Sequence, residues 1–124
     1  MFEQNPQLID HFLHPRNVGK MENPDGLGHV GNPVCGDVMD LYIRVKDNKI
    51  IEAKFQTYGC AAAVASTSVL TELIIGKTIE EALEISHKKI LDVLGQVPAN
   101  KNHCTFLAEQ ALKLAIEDFQ KKQK

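Results

Sequence analysis

The hydrophobic period of this chain changes at Gly59, and that change restricts the fold more than any other feature. Before it, Met39, Leu41, Ile43 and Val45 alternate with Asp40, Tyr42, Arg44 and Lys46, the period-two pattern of a half-buried strand. Asp47-Asn48 follows, two residues that tolerate positive φ and so make a tight turn. The next run sets Ile51, Ala53 and Phe55 on one face and Glu52, Lys54 and Gln56 on the other, which predicts an antiparallel hairpin. After Gly59 the alternation stops. Cys60 to about Ile75 is rich in Ala, Leu, Ser and Thr, reads as a helix stopped by Gly76, and carries side chains small enough to lie close to a sheet.

Helical signals also open and close the chain. Leu8, Ile9, Phe12 and Leu13 have helical spacing over residues 7–14, bounded by Pro15. The glycine- and proline-rich residues 17–34 read as loop, with a short edge strand over residues 28–34. Thr78-Ile79-Glu80-Glu81 has the form of a capping box, so a short helix to about Ile85 is expected, then another over residues 88–94 ending at Gly95. Val97-Pro98-Ala99-Asn100-Lys101 reads as a linker. The last helix is expected from Asn102 or His103 to about Gln120, with Leu107, Ala108, Ala111, Leu112, Leu114, Ala115 and Phe119 as its buried stripe. The expected architecture is α+β: a small antiparallel sheet of about three strands, helices on one face, and a long C-terminal helix. At 124 residues the chain has room for one domain, 1–124.

Composition excludes several classes of function. Fourteen Lys and Arg stand against sixteen Asp and Glu, so the net charge of -2 offers no basic face for nucleic acid. No apolar run reaches the ~18–20 residues needed to span a bilayer, and the N-terminus lacks a secretory pattern, which leads to a cytoplasmic expectation with no membrane partner. Three cysteines make no disulfide framework.

Those cysteines share a local grammar. Cys35 sits in a loop entering the first strong strand, Cys60 opens a helix after Tyr58-Gly59, and Cys104 opens another after His103. A thiol in the first turn of a helix meets the positive end of its dipole, which favours the thiolate that binds metal or attacks sulfur. Runs of 24 and 43 residues separate successive cysteines, unlike the paired ligands of a compact zinc finger, so a joint site has to be assembled by the fold. Three thiolates with Asp37 or His103 supply four ligands for a tetrahedral metal or two bridged irons. Asp37, being a hard ligand, would hold such a centre weakly. His11, His14, His29 and His87 read as surface residues. No His-x-x-x-His pairing supports a zinc hydrolase, and no Cys-x-x-Cys supports a thiol–disulfide oxidoreductase.

The motifs carry the reading further. Cys35-Gly36-Asp37-Val38-Met39, Thr57-Tyr58-Gly59-Cys60 with Ala65-Ser66-Thr67-Ser68, and His103-Cys104 with Leu107-Ala108-Glu109-Gln110-Ala111 closely resemble the iron–sulfur scaffold family of IscU and the N-terminal domain of NifU. The resemblance also takes in His11, Pro15-Arg16-Asn17-Val18-Gly19 and Gly76-Lys77-Thr78. It implies cluster cysteines at Cys35, Cys60 and Cys104, a cluster-destabilising aspartate at Asp37 and the family histidine at His103, with Cys104 as persulfide acceptor. It further implies a non-enzymatic platform that takes sulfur from a cysteine desulfurase, receives iron from a donor, builds a transient 2Fe–2S cluster and passes it to apo iron–sulfur proteins. Zinc can occupy the same pocket in cluster-free family members. The runner-up is a zinc-bound sulfur acceptor of the SufU branch, which carries lysine where His103 stands. Residues 97–101 correspond to the family's chaperone-recognition segment, Leu-Pro-Pro-Val-Lys in many bacterial members, and match it only at Pro98 and Lys101. The further domains of NifU are not expected, because one helix follows Cys104.

Overall fold

The computed structural model describes residues 6–32, 37–58, 61–94 and 103–122; for residues 6–8, 32, 37, 61–62, 87, 94 and 103–105 the description is of the backbone alone. The order of elements is α1 (Pro6–Leu13), β1 (Gly26–Asn32), β2 (Asp37–Lys46), β3 (Lys49–Tyr58), α2 (Ala61–Ile74), α3 (Ile79–Leu83), α4 (His87–Leu94) and α5 (His103–Lys122). The strands form one antiparallel sheet in the order β1-β2-β3. The expected α+β architecture is what the chain adopts. The Val97–Lys101 linker and Gly95 lie outside the described residues.

The β2–β3 hairpin closes where the turn chemistry puts it. Asp47 and Asn48 both take positive φ, 52° and 64°, the two-residue geometry whose twist matches the flanking strands. One expectation fails beside this turn. Arg44 pairs with Glu52 but Val45 pairs with Ile50, so Ile51 is an extra residue on β3. The bulge turns Ile51 out to solvent, 48% exposed, and sends Ile50 into the core in its place. Simple alternation carried back from Phe55 through Ala53 puts Ile51 inside, because a bulge leaves no mark in the period.

The inner face of the sheet carries Val30, Met39, Leu41, Ile43, Ile50, Ala53 and Phe55, all buried. Helices α2 and α5 cover it, while Leu27, Tyr42, Arg44, Glu52 and Lys54 remain half-buried or exposed on the outer face. β1 begins two residues earlier than its pattern suggests, since Gly26 and Gly28 are the contact points for α5. A Cβ on Gly26 would lie 2.2 Å from the Ala115 carbonyl oxygen, and one on Gly28 2.0 Å from that of Ala111. Only glycine permits backbone approach that close. On α5 the stripe of Leu107, Ala108, Ala111, Leu112, Ala115 and Phe119 is buried as expected. Leu114 is not: it is 40% exposed on the rim of a surface cleft with Val30, Gln110 and Lys113, and Ile116 takes the core position.

Helix α2 is buried almost all round, with Ala63, Ala65, Val69, Leu70 and Ile74 apolar and Ser66, Thr67, Ser68 and Thr71 polar. Gly76 then takes φ 90°, its N–H reaching the Ile50 carbonyl. The capping box is present: the Glu81 N–H donates to the Thr78 hydroxyl, and the Thr78 N–H donates to the Glu81 carboxylate. Among the described residues no helix is long and apolar enough to cross a membrane.

Candidate functional site

Three connections carry the candidate ligands, and the register of the sheet brings their ends together. Asn32 pairs with Asp37, so residues 33–36, including Cys35, join β1 to β2 at one end of the sheet. Val38 pairs with Tyr58, so β3 finishes at that same end, and residues 59–60, including Cys60, lead from there into α2. Helix α5 arrives from the opposite direction. Its Ala115 faces Gly26 and its Ala111 faces Gly28, so it runs antiparallel to β1. From Gly28 to Asn32 a strand covers roughly 13 Å at ~3.3 Å per residue. At 1.5 Å per residue that is about nine helical residues back from Ala111, which reaches the N-terminal end of α5.

The first turn of α5 holds His103 and Cys104. Asp37 opens β2 at the level of Asn32. Cys35 and Cys60 lie outside the described residues, and for Asp37, His103 and Cys104 only the backbone is described. Segments far apart in sequence therefore end at one edge of the fold: the start of β2, the end of β3, and the starts of α2 and α5. Neither α2 nor α5 has an acidic residue in its first turn, so neither helix supplies a carboxylate of its own to offset the positive end of its dipole. An anionic ligand set fits that environment. Among the described residues no group of three or more His, Cys, Asp or Glu is arranged to hold a metal ion.

A family profile described as "NifU-like N terminal domain" matches residues 3–124. The chain belongs to this family. An Archaeoglobus fulgidus protein named iron-sulfur cluster assembly scaffold protein IscU 1 is 56% identical over 116 residues, covering 94% of this chain and 76% of that protein. The Escherichia coli K12 scaffold protein IscU is 49% identical over 120 residues, covering 94% of this chain and 93% of that one. A crystal structure from Fervidobacterium islandicum, described as an iron–sulfur cluster assembly scaffold protein for the SUF system, superposes with a TM-score of 0.76 at 29% identity. It covers 90% of this chain and 94% of its own. A NifU-like N-terminal protein from Brucella abortus shares the fold at a TM-score of 0.69 and 18% identity.

Several residues of this NifU-like domain turn out to anchor the structure. His11, read from sequence as a surface residue, is buried at 7% exposure between α1 and α2. Its Nδ1 shares a 2.8 Å hydrogen bond with the Ser68 hydroxyl, which also accepts the Arg16 backbone N–H. Burial lowers the His11 pKa, and the Arg16 cation lowers it further against the opposing pull of Glu72 and Asp10. Asn17 takes φ 62° and donates from Nδ2 to the Thr71 hydroxyl. The Asn17 carbonyl accepts the Phe55 N–H, and the Gly19 N–H donates back to the Phe55 carbonyl, which closes the free edge of β3. The Pro15–Gly19 motif thus fastens the chain to the sheet and to α2. Its sequence signal is present in Asn17 and Gly19, both tolerant of positive φ, but the partners are distant: Phe55 on β3, and Ser68 and Thr71 more than fifty residues away on α2. His14 and His29 are exposed, as read from sequence, with His29 against the Asp40 carboxylate; the His87 side chain lies outside the described set.

Proposed function

We propose that this chain is an iron–sulfur cluster assembly scaffold. What supports the reading is the meeting of the four element ends that bear the candidate ligands, in a chain about half identical to named IscU scaffolds over nearly its whole length. Cys35, Cys60 and Cys104 would hold a 2Fe–2S cluster as cargo, with Asp37 supplying the labile position and His103 serving as reserve ligand or proton donor. Cys104 is the sulfur acceptor. Its thiolate attacks the outer sulfur of a desulfurase persulfide, a new S–S bond forms on Cys104, and the desulfurase cysteine leaves as thiolate. Converting that sulfur to sulfide takes two electrons from an external reductant. The protein makes and yields a cluster without acting as an enzyme, and its donors and acceptors are other cytoplasmic proteins: a cysteine desulfurase, an iron donor and apo iron–sulfur proteins. A chaperone pair would have to recognise residues 97–101, which match the family segment only at Pro98 and Lys101.

The donor set suits both halves of the task. Thiolates bind iron tightly enough to nucleate a cluster, whereas a carboxylate is a harder ligand and exchanges more readily. The described element ends that flank these ligands lie at one edge of the sheet, and a protein donor or acceptor would approach there. The same ligands fit Zn2+ in the cluster-free protein.

The test is visible circular dichroism under anaerobic conditions with iron, cysteine, a reductant and a cysteine desulfurase, followed by apo-ferredoxin. A chiral cluster spectrum that builds on this protein and then converts to that of ferredoxin is the expected result. The alternative is a zinc-bound sulfur acceptor of the SufU branch, from which this chain departs by carrying His103 where that branch has lysine. In that case the zinc-free protein builds no cluster, yet mass spectrometry finds sulfur loaded on Cys104.

A further inference from the structure

We infer that the hydroxyls of Thr57 and Thr67 are positioning groups for Cys60. The inference rests on reading Cys60 as a ligand. β3 sends Ala53, Phe55 and then Thr57 toward the helices, and Thr57 is the last such residue before the strand ends at Tyr58. Thr67 is fully buried on α2. The Thr57 Oγ1 donates to the Thr67 Oγ1 at 3.4 Å, and the Thr67 Oγ1 donates to the Ala63 carbonyl at 2.8 Å. One chain of hydroxyls therefore ties the end of β3 to the first turn of α2. Only Gly59 and Cys60 lie between those two elements.

A connection of two residues takes its geometry from its ends. The separation of Tyr58 from Ala61 limits where the intervening backbone can carry the Cys60 side chain, and the hydroxyl chain holds both flanks. The surroundings do not ask for polarity here. Met39 pairs with Thr57 across the sheet and is buried, as is Phe55, so valine at 57 would suit a half-buried strand at least as well. A buried hydroxyl needs a partner to offset its desolvation. The other buried hydroxyls with described tertiary partners, Ser68 and Thr71, face His11, Arg16 and Asn17 on the α1 side of the helix. Thr67 faces the sheet, bonded to the last inward residue of the strand that precedes Cys60 in the chain.

The experiment is a Co2+ titration of the metal-free protein, read from the thiolate-to-cobalt charge-transfer absorption and the visible d–d bands, with thermal unfolding measured in parallel. Thr57→Val and Thr67→Val are each expected to weaken Co2+ binding about fivefold, the scale of one net hydrogen bond, and to shift the d–d bands. Thr67→Ser, which keeps the hydroxyl, restores both. Thr71→Val removes a buried hydroxyl from the same helix; it lowers the unfolding temperature without moving affinity or spectrum. Wild-type binding in both valine variants overturns the inference, and so does an equal loss in Thr71→Val. Should Thr67→Val not fold, Thr57→Val alone decides. Cys60→Ser is the separate control: an unchanged charge-transfer band there removes Cys60 from the ligand set, and the inference falls with that reading and not through the threonines.

Discussion

The two ends of the sheet are built for opposite purposes. At the turn end, around Asp47 and Asn48, the connections hold one another. The Ile50 N–H meets the Lys77 carbonyl, the Gly76 N–H meets the Ile50 carbonyl, and the Ile79 N–H meets the Asn48 carbonyl. Helix α3 begins there behind Thr78, with Glu80 and Glu81 in its first turn. Capping bonds hold the Glu81 carboxyl below the usual range, first from the Thr78 backbone N–H and then from its side chain. At the opposite end α2 begins behind Cys60, where α3 has a threonine, and neither α2 nor α5 has a carboxylate in its first turn. Residues that would neutralise a helix end are used at the turn end. At the other, thiols and a histidine take those positions, which leaves the helix ends able to favour bound anions.

This contrast can be broken by substitution at either end. The largest effect is expected from Cys60→Ser, which should abolish the cluster's visible circular dichroism while leaving the far-ultraviolet spectrum unchanged. Asp37→Ala should lengthen the cluster's lifetime and slow transfer to apo-ferredoxin in the same assay; faster cluster loss would remove Asp37 from the labile position.

Stability should respond to different residues. Gly28→Ala drives a Cβ against the Ala111 carbonyl and should cost about 3 kcal/mol in urea unfolding, because backbone cannot give way as a side chain can. Thr78→Ala removes the cap of α3 and should cost about 1 kcal/mol, with cluster yield unaltered. A loss of cluster yield in that variant would show that the turn end also serves the chemistry.

The smallest effect concerns pH. His11 has its pKa lowered by burial from an ordinary 6.5, so the folded chain prefers it neutral and the unfolded chain binds the extra proton. Its contribution is fully present above the ordinary value and is lost as pH falls from there through the lowered folded value. Urea midpoints of the wild type should therefore drop between about pH 7.5 and 5.5 by more than those of His11→Gln.

Patterns that repeat within a few residues are legible in the amino-acid sequence itself. The hairpin turn at Asp47-Asn48, the box at Thr78 and Glu81, the stop at Gly76 and most of the α5 stripe depend on neighbours close in the chain, and each holds. The residue types of the candidate site are legible for the same reason, since a thiol beside a helix start is a local fact. Other features depend on contacts between distant segments. The bulge that turns Ile51 outward follows from how β3 registers on β2, and the exposure of Leu114 follows from the side of α5 that β1 covers. The burial of His11 follows from Ser68, fifty-seven positions away. The convergence at one edge of the fold belongs with these. Two glycines let α5 lie against β1, and that contact sets the level at which the first turn of the helix meets the end of the sheet. Periodicity specifies which face of an element is apolar, but only packing decides which ends become neighbours.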